Sequence, residues 1–172
     1  NPLDIDLIGF AGVAVSPGVP LNRHPIAAHA RAAHVPVIGD IELFAEAEGA
    51  LPPHKVVGIT GTNGKSTTTA LIHHLLRVAG IDAEVGGNIG RPVFELEPGA
   101  PGRVFVLELS SYQLDLCESL HCRVAVWLNL TPDHLDRHGD LAGYVAAKER
   151  IFRQQGAGDR AVLGIDDEPS RA

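Results

Sequence analysis

One junction restricts the fold of this chain more than any other. The apolar run Val56-Val57-Gly58-Ile59-Thr60 ends in Gly61-Thr62-Asn63-Gly64-Lys65-Ser66-Thr67, and a helix-patterned stretch begins there. A strand, a glycine-rich turn and a helix N-terminus in that order make a phosphate loop. Glycine lets backbone N–H groups converge on phosphate oxygens, and the positive end of the helix dipole faces the same point. Lys65 adds a mobile positive charge for the β/γ phosphates, and Ser66 a hydroxyl for Mg2+. The general pattern G-x-x-x-x-G-K-[ST] asks for glycine at position 59, where this chain has Ile59; what remains is the tighter G-x-x-G-K-S. The plainer alternative is an ordinary strand-to-helix turn with a capping hydroxyl, which leaves the meeting of Gly61, Gly64, Lys65 and Ser66 at that junction to chance. Alone, the loop predicts a nucleoside triphosphate site and no particular reaction.

The same alternation of apolar runs and helical patterns extends along the chain. Residues 4–10 and 12–15 read as strand material, 25–33 as a short helix, 35–38 as a buried strand and 41–48 as a helix. Gly49-Ala50-Leu51-Pro52-Pro53 is the best linker, because Gly followed by Pro-Pro stops one element before the next begins. Residues 55–60 then predict a buried strand. Residues 65–79 predict a helix with Leu71, Ile72, Leu75, Leu76 and Ala79 on one face, ended by Gly80. Further strands are expected over 82–85, 103–109, 123–128 and 160–165, with a helix over 141–155 that turns Tyr144, Ala147, Ile151 and Phe152 inward. Repeated strand–helix units predict an α/β fold: a parallel sheet with helices on both faces, and sites beyond the C-terminal ends of its strands.

Two strand ends carry chemistry. The run Arg103–Leu107 ends in Glu108, followed by Leu109-Ser110-Ser111-Tyr112-Gln113-Leu114. A carboxylate at a strand tip beside a phosphate loop is where a Mg2+-organising group sits; a solvated charge at a strand end fits the sequence equally well. The next strand leads into Asn129-Leu130-Thr131-Pro132-Asp133-His134-Leu135-Asp136-Arg137-His138-Gly139. The His134–His138 spacing hints at zinc, but Gly139 follows at once and there is no HExxH helix. A polar capping loop is the plain reading; the preferred one has His134 helping to hold a divalent metal beside phosphate. His73 and His74 are expected at the surface. Lys148, in Ala146-Ala147-Lys148-Glu149-Arg150, is by default a solvated helix lysine.

Composition narrows the partners. There are 14 Lys and Arg against 21 Asp and Glu, a net charge of −7. A phosphate-backbone binder is expected to be basic, so nucleic acid is an unfavoured partner. No apolar run is long enough to span a membrane, and no basic-then-apolar leader is visible. Cys117 and Cys122 have no second pair, which excludes a zinc ribbon or a disulfide framework. They read as free thiols in a reducing cytoplasm. The chain contains no Met and opens on Asn1, so it is expected to be a piece of a longer protein.

Together these residues resemble the Mur ligase family, the ATP-dependent amide ligases of peptidoglycan precursor synthesis. The likeness rests on the loop 61–67, on Gly86-Gly87-Asn88-Ile89-Gly90, on Glu108 to Leu114 and on Asn129 to Gly139. Ser16-Pro17-Gly18-Val19-Pro20 and Gly39-Asp40-Ile41-Glu42-Leu43-Phe44 look like the end of the family's UDP-binding domain. The resemblance spans nearly the whole chain. It implies that residues 1–46 are the C-terminal part of a Rossmann-like UDP-substrate domain. Residues 47–172 would be a truncated, P-loop NTPase-like central ATP-binding domain, with the C-terminal domain absent. ATP phosphates would bind at Gly61, Thr62, Asn63, Gly64, Lys65, Ser66 and Thr67. Ser66 and Glu108 would hold one Mg2+, and His134 would help to hold a second. Lys148 matches a lysine that family members carry as a carbamate, an anion that supports Mg2+ where an ammonium would repel it. Ser16, Pro17, Gly18, Asn88, Ser110 and Gln113 would meet the substrate. The implied substrates are ATP, UDP-N-acetylmuramoyl-L-alanine and D-glutamate, joined through an acyl phosphate by a monomer in the cytoplasm, with Lys65, Glu108, His134 and Lys148 as the catalytic set. The 172-residue piece alone is expected to be inactive.

Three other readings compete. Folylpolyglutamate synthase shares a similar loop, but Ser16–Pro20 and Gly86–Gly90 argue against it. A noncatalytic nucleotide-binding module would have no need of Lys65, Glu108, His134 and Lys148 together. A generic P-loop nucleotidase would be expected to end its acidic strand in Asp.

Overall fold

The computed structural model describes residues 1–171. Along the chain lie β1 (Val13–Ala14), α1 (Pro25–Ala32), β2 (Val37–Ile38), α2 (Asp40–Glu46), β3 (Lys55–Thr60), α3 (Lys65–Val78) and β4 (Ala83–Gly87). Then follow β5 (Val104–Glu108), α4 (Ser111–Asp115), β6 (Val124–Trp127), α5 (Leu135–His138), α6 (Leu141–Glu149) and β7 (Arg160–Leu163). Five strands form one parallel sheet in the order β4-β5-β3-β6-β7. The phosphate-loop strand β3 is therefore central, with β5 and β6 at its sides. Register pairs Ile59 with Glu108 and Thr60 with Trp127, so the loop, the Glu108 tip and the segment after β6 leave the sheet at one level.

Successive side chains of a strand point to opposite faces, and each face here has its own core. Val104, Val106, Ile59 and Val126 pack under α3 with Ile72 and Leu76. Phe105, Leu107, Val56 and Ala125 face the other way, against Ile41 and Phe44 of α2, Leu114 of α4 and Ile151 beyond α6. Helices cover both faces, as the alternating pattern predicts.

The first 39 residues make a smaller layer. β1 and β2 pair in parallel, and Leu7, Ala30 and Val35 form a separate small core with Val13 and Val37. Helix α2 belongs with the large core instead: Ile41, Phe44 and Ala45 are buried there. Helix α2 is thus anchored on the central sheet before the linker is reached.

Three expectations need correction. Residues 4–10 do not form a strand. Pro2–Asp4 is a 3-10 turn capped by the Asn1 side chain, and Ile5, Ile8 and Phe10 are exposed while Leu7 alone is buried there, so no strand edge pairs with the segment. On α3, Ile72 and Leu76 pack inward, but Leu71, Leu75 and Ala79 are exposed. The apolar stripe is wider than the strip of helix that touches β4 and β5. The helix expected over 141–155 ends at Glu149 and passes into a 3-10 turn, Arg150–Phe152, while strand β7, at the sheet edge, is exposed along its whole length. The short helix α4 was not anticipated, although Ser110 and Gln113 form a capping box across its first turn, a pattern readable in sequence.

Candidate functional site

The phosphate loop leaves β3 and enters α3 through Gly64, whose φ of 80° lies in the left-handed region that glycine adopts without strain. No side chain caps the start of α3, so its first N–H groups stay free for an anion. Thr62 and Asn63 hold the loop to the end of β6. Thr62 N–H donates to the Asn129 carbonyl (3.0 Å), and Asn63 N–H to Asn129 Oδ1 (2.9 Å). Thr62 Oγ1 donates to the Thr131 carbonyl (3.1 Å), accepts from Thr131 N–H (3.0 Å) and lies 3.2 Å from the Tyr144 hydroxyl. Lys65 is half-buried and folds its ammonium onto the Thr62 carbonyl (2.9 Å), while Ser66 and Thr67 are exposed at the first turn.

Glu108 is 2% exposed, which removes the solvated-charge reading. One carboxylate oxygen accepts from Asn88 Nδ2 at 2.7 Å; the other, Oε2, is buried without a hydrogen-bond partner. A buried anion with an unpaired oxygen is costly unless a cation completes it. Asn88 is held twice, since its N–H also donates to the Glu108 carbonyl (2.8 Å). Gly87 permits this approach: its φ is 95°, and a Cβ there would run into the Glu108 carbonyl oxygen.

Lys148 also departs from its default reading. It is 1% exposed, and its ammonium donates to the Gly61 carbonyl (2.8 Å) and Thr60 Oγ1 (3.1 Å), 4.9 Å from the Tyr144 ring centre. Burial, with Lys65 adding repulsion, pushes its pKa down to about 7, against smaller upward pulls from Asp133 and Glu108. A lysine in that state has a large neutral fraction near neutral pH, and a neutral amine is a nucleophile.

His134 follows β6 and precedes α5, in the left-handed region at φ 51°. Its Nδ1 lies 3.3 Å from the Tyr112 hydroxyl and its Nε2 3.6 Å from Asp133 Oδ2. Lys65, Asn88, Ser110, Tyr112, His134, Tyr144 and Lys148 line one cavity of about 310 Å³ with Pro17 and Gly18 from the N-terminal segment. A second cleft, of about 640 Å³, continues past Ser16, Pro17, Gly18, Asn88 and Gln113. Lys65, Asn88, Ser110, His134 and Lys148 therefore share one cavity with Pro17 and Gly18, while Glu108 and Ser66 line neither space and Glu108 reaches it through Asn88; Gln113 has both ends of its amide engaged, with Ser110 N–H and with Asp40. His138 bonds Ser111 Oγ through Nε2 (3.0 Å), and burial lowers its pKa. His73 is half-buried with Nε2 3.2 Å from the Ala83 carbonyl, and His74 is exposed.

The sequence profile of the Mur ligase middle domain matches residues 59–172. This chain belongs to the Mur ligase family. A UDP-N-acetylmuramoylalanine–D-glutamate ligase of Sphingopyxis alaskensis is 67% identical over 171 residues, 99% of this chain and 39% of that relative. A ligase of the same description from Novosphingobium aromaticivorans is 66% identical over 168 residues, 98% of this chain and 38% of the relative. The chain thus spans about two fifths of the length of these curated relatives. Among solved structures, a UDP-N-acetylmuramate:L-alanyl-gamma-D-glutamyl-meso-diaminopimelate ligase from Neisseria meningitides matches with a TM-score of 0.61 at 21% identity. That match covers 85% of this chain and 49% of the other. At that identity the likeness speaks for the fold.

Within the Mur ligase chain, sequence reasoning passed over several site residues. Tyr144 was assigned to the core, yet its hydroxyl meets the phosphate loop. Thr60 was read only as a strand end, yet it accepts from Lys148 while donating to the Leu109 carbonyl (2.9 Å). Asn129 and Thr131, to which the sequence assigns no role, hold the loop. Mg2+ suits this site: Glu108 Oε2 is a buried, unpaired anionic oxygen, and the hydroxyl of Ser66 stands at the start of α3. Among the described residues no group of three His, Cys, Asp or Glu could form an all-protein metal cage.

Proposed function

We propose that this chain is part of a ligase that joins D-glutamate to UDP-N-acetylmuramoyl-L-alanine at the expense of ATP, in cytoplasmic peptidoglycan precursor synthesis. Residues 1–46 would close the UDP-substrate domain and 47–172 would form the nucleotide-binding part of the central domain. The observation that carries the reading is the shared cavity: the phosphate-loop Lys65, the strand-end His134 and the buried Lys148 face Pro17, Gly18 and Asn88 across one space. The close relatives named for this reaction support the choice of substrates.

A carboxylate is a poor electrophile, so it must first be activated. A carboxylate oxygen of the alanyl group attacks the γ-phosphorus, and the bond from that phosphorus to ADP breaks. The amine of D-glutamate then attacks the acyl carbon, phosphate leaves, and the nitrogen loses a proton to give the amide. Both partners of the first step are anions. Lys65 offsets their repulsion, and the loop N–H groups orient the phosphates. Mg2+, bound by Glu108 and Ser66 with a second ion beside His134, would supply further charge neutralisation. The neutral amine of Lys148 adds to CO2: an N–C bond forms, one proton goes to water, and the side chain becomes a carbamate anion suited to such a cation. Asn88, fixed by Glu108, faces the sugar side, along with Ser16, Pro17, Gly18 and Ser110. Phosphate release by the whole monomeric protein tests this. Release should require UDP-N-acetylmuramoyl-L-alanine and D-glutamate, and a folate acceptor with L-glutamate should not replace them; equal release with the folate pair would overturn the reading.

A further inference from the structure

Arg137 has no part in the chemistry above, yet its charge is buried outside the cavity. Its side chain is 5% exposed. Its Nη1 donates to the Val19 carbonyl at 2.6 Å, its Nη2 lies 3.5 Å from Asp115 Oδ2, and its Cζ sits 5.2 Å from the centre of the Tyr112 ring. Nη2 makes no hydrogen bond. One residue away, the Asp136 carbonyl accepts from Asn22 Nδ2 at 2.6 Å. The one-turn helix α5 that begins after His134 is thus fastened at two points to the segment that follows Ser16.

We propose that Arg137 is a positioning residue that locks the Ser16–Pro20 loop to the His134 segment, so that the acceptor substrate and the phosphate chemistry meet in one geometry. This rests on the ligase reading. Val19 closes a turn, its N–H donating to the Ser16 carbonyl at 3.0 Å, and the turn presents Pro17 and Gly18 to the cavity. On the other side Arg137 stacks on Tyr112, whose hydroxyl meets His134. One guanidinium therefore touches Tyr112, which lines the cavity, and Val19, which follows the lining residues Pro17 and Gly18. The phosphate loop is held separately, through Thr62, Asn63, Asn129 and Thr131. Burying a guanidinium is costly, and all of its contacts here go to the Ser16–Pro20 loop and to α4, the two segments that flank the cavity.

In the whole protein, Arg137→Met should raise KM for UDP-N-acetylmuramoyl-L-alanine about 10- to 100-fold, the loss of one charge-assisted hydrogen bond. KM for ATP should stay within about twofold, although Tm should fall, because the Val19 carbonyl and Asp115 lose their partner. Arg137→Lys, which can reach one partner but not all three, should fall between. Hydrogen exchange gives a readout that needs no turnover: the Val19 amide should exchange faster in Arg137→Met while residues 61–67 are unchanged. If the two KM values move together, or neither moves, or Val19 exchange is unaltered, the lock is wrong. If wild-type protein shows no acceptor-dependent phosphate release, the ligase reading fails instead, and the exchange result still decides the lock.

Discussion

Lys148 reaches back from α6 to the first residue of the phosphate loop, its ammonium 2.8 Å from the Gly61 carbonyl oxygen. Two segments 87 residues apart in sequence therefore share one buried hydrogen bond, and a group that titrates stands directly behind the nucleotide loop.

This placement makes stability depend on pH in a set direction. The folded pKa of Lys148, about 7, lies below its ordinary value of 10.5. Between those values the unfolded chain binds a proton that the native chain does not, so the native state gains stability as pH rises through the window. Below about pH 7 the full penalty remains. Lys148→Met should therefore raise stability over wild type at about pH 6 by on the order of 2–4 kcal/mol, and by much less at about pH 10. Chemical denaturation in CO2-depleted buffer at the two pH values checks this.

Glu108→Gln keeps the shape of the strand tip and removes its charge. The Asn88 hydrogen bond can persist, and a neutral amide costs less to bury than an unpaired carboxylate. Tm should hold or rise. The Mg2+ concentration for half-maximal activity should increase at least about tenfold, corresponding to ~1.4 kcal/mol of lost metal interaction. A magnesium titration of activity, run beside thermal melts, separates the two effects.

At Gly87 the backbone itself is at stake. Alanine at a φ of 95° incurs about 1–2 kcal/mol of strain, and its Cβ meets the Glu108 carbonyl oxygen besides. Gly87→Ala should lose more than about 2 kcal/mol of stability and should weaken acceptor binding, because Asn88 is the next residue. Urea denaturation and acceptor KM are the measurements.

Lys65 donates a hydrogen bond to the Thr62 carbonyl from a half-buried position. Lys65→Ala should leave the fold intact and weaken ATP binding about 10- to 100-fold, read by calorimetric titration. Unchanged affinity would mean that this loop is not the nucleotide site.

How much of this was legible in the sequence follows from how local each signal is. The β3–loop–α3 unit was readable because glycine, lysine and hydroxyl positions are consecutive in sequence. The predicted bounds of β3 and the structure agree. Tyr144, Ala147 and Ile151 turn inward as their spacing requires. Lys148 was not readable from its surroundings, because its burial depends on Thr60 and Gly61 arriving from another strand. Glu108 was undecided for the same reason: whether a strand-tip acid is solvated depends on what Gly87 and Asn88 do beside it. Leu71 and Leu75 misled because apolar periodicity reports a helix face, while burial also requires a neighbour on that face. Arg137 lies in a motif chosen for its histidines, and its partner Val19 is 118 residues away.

The central claim is that an acyl phosphate links ATP cleavage to amide formation at this cavity. It is tested most directly by placing heavy oxygen in the alanyl carboxylate of UDP-N-acetylmuramoyl-L-alanine. The whole protein is then given ATP, Mg2+ and D-glutamate, and the released phosphate is analysed by mass spectrometry. The account predicts one labelled oxygen in each phosphate formed with product. Phosphate released without label, alongside amide product, would contradict it.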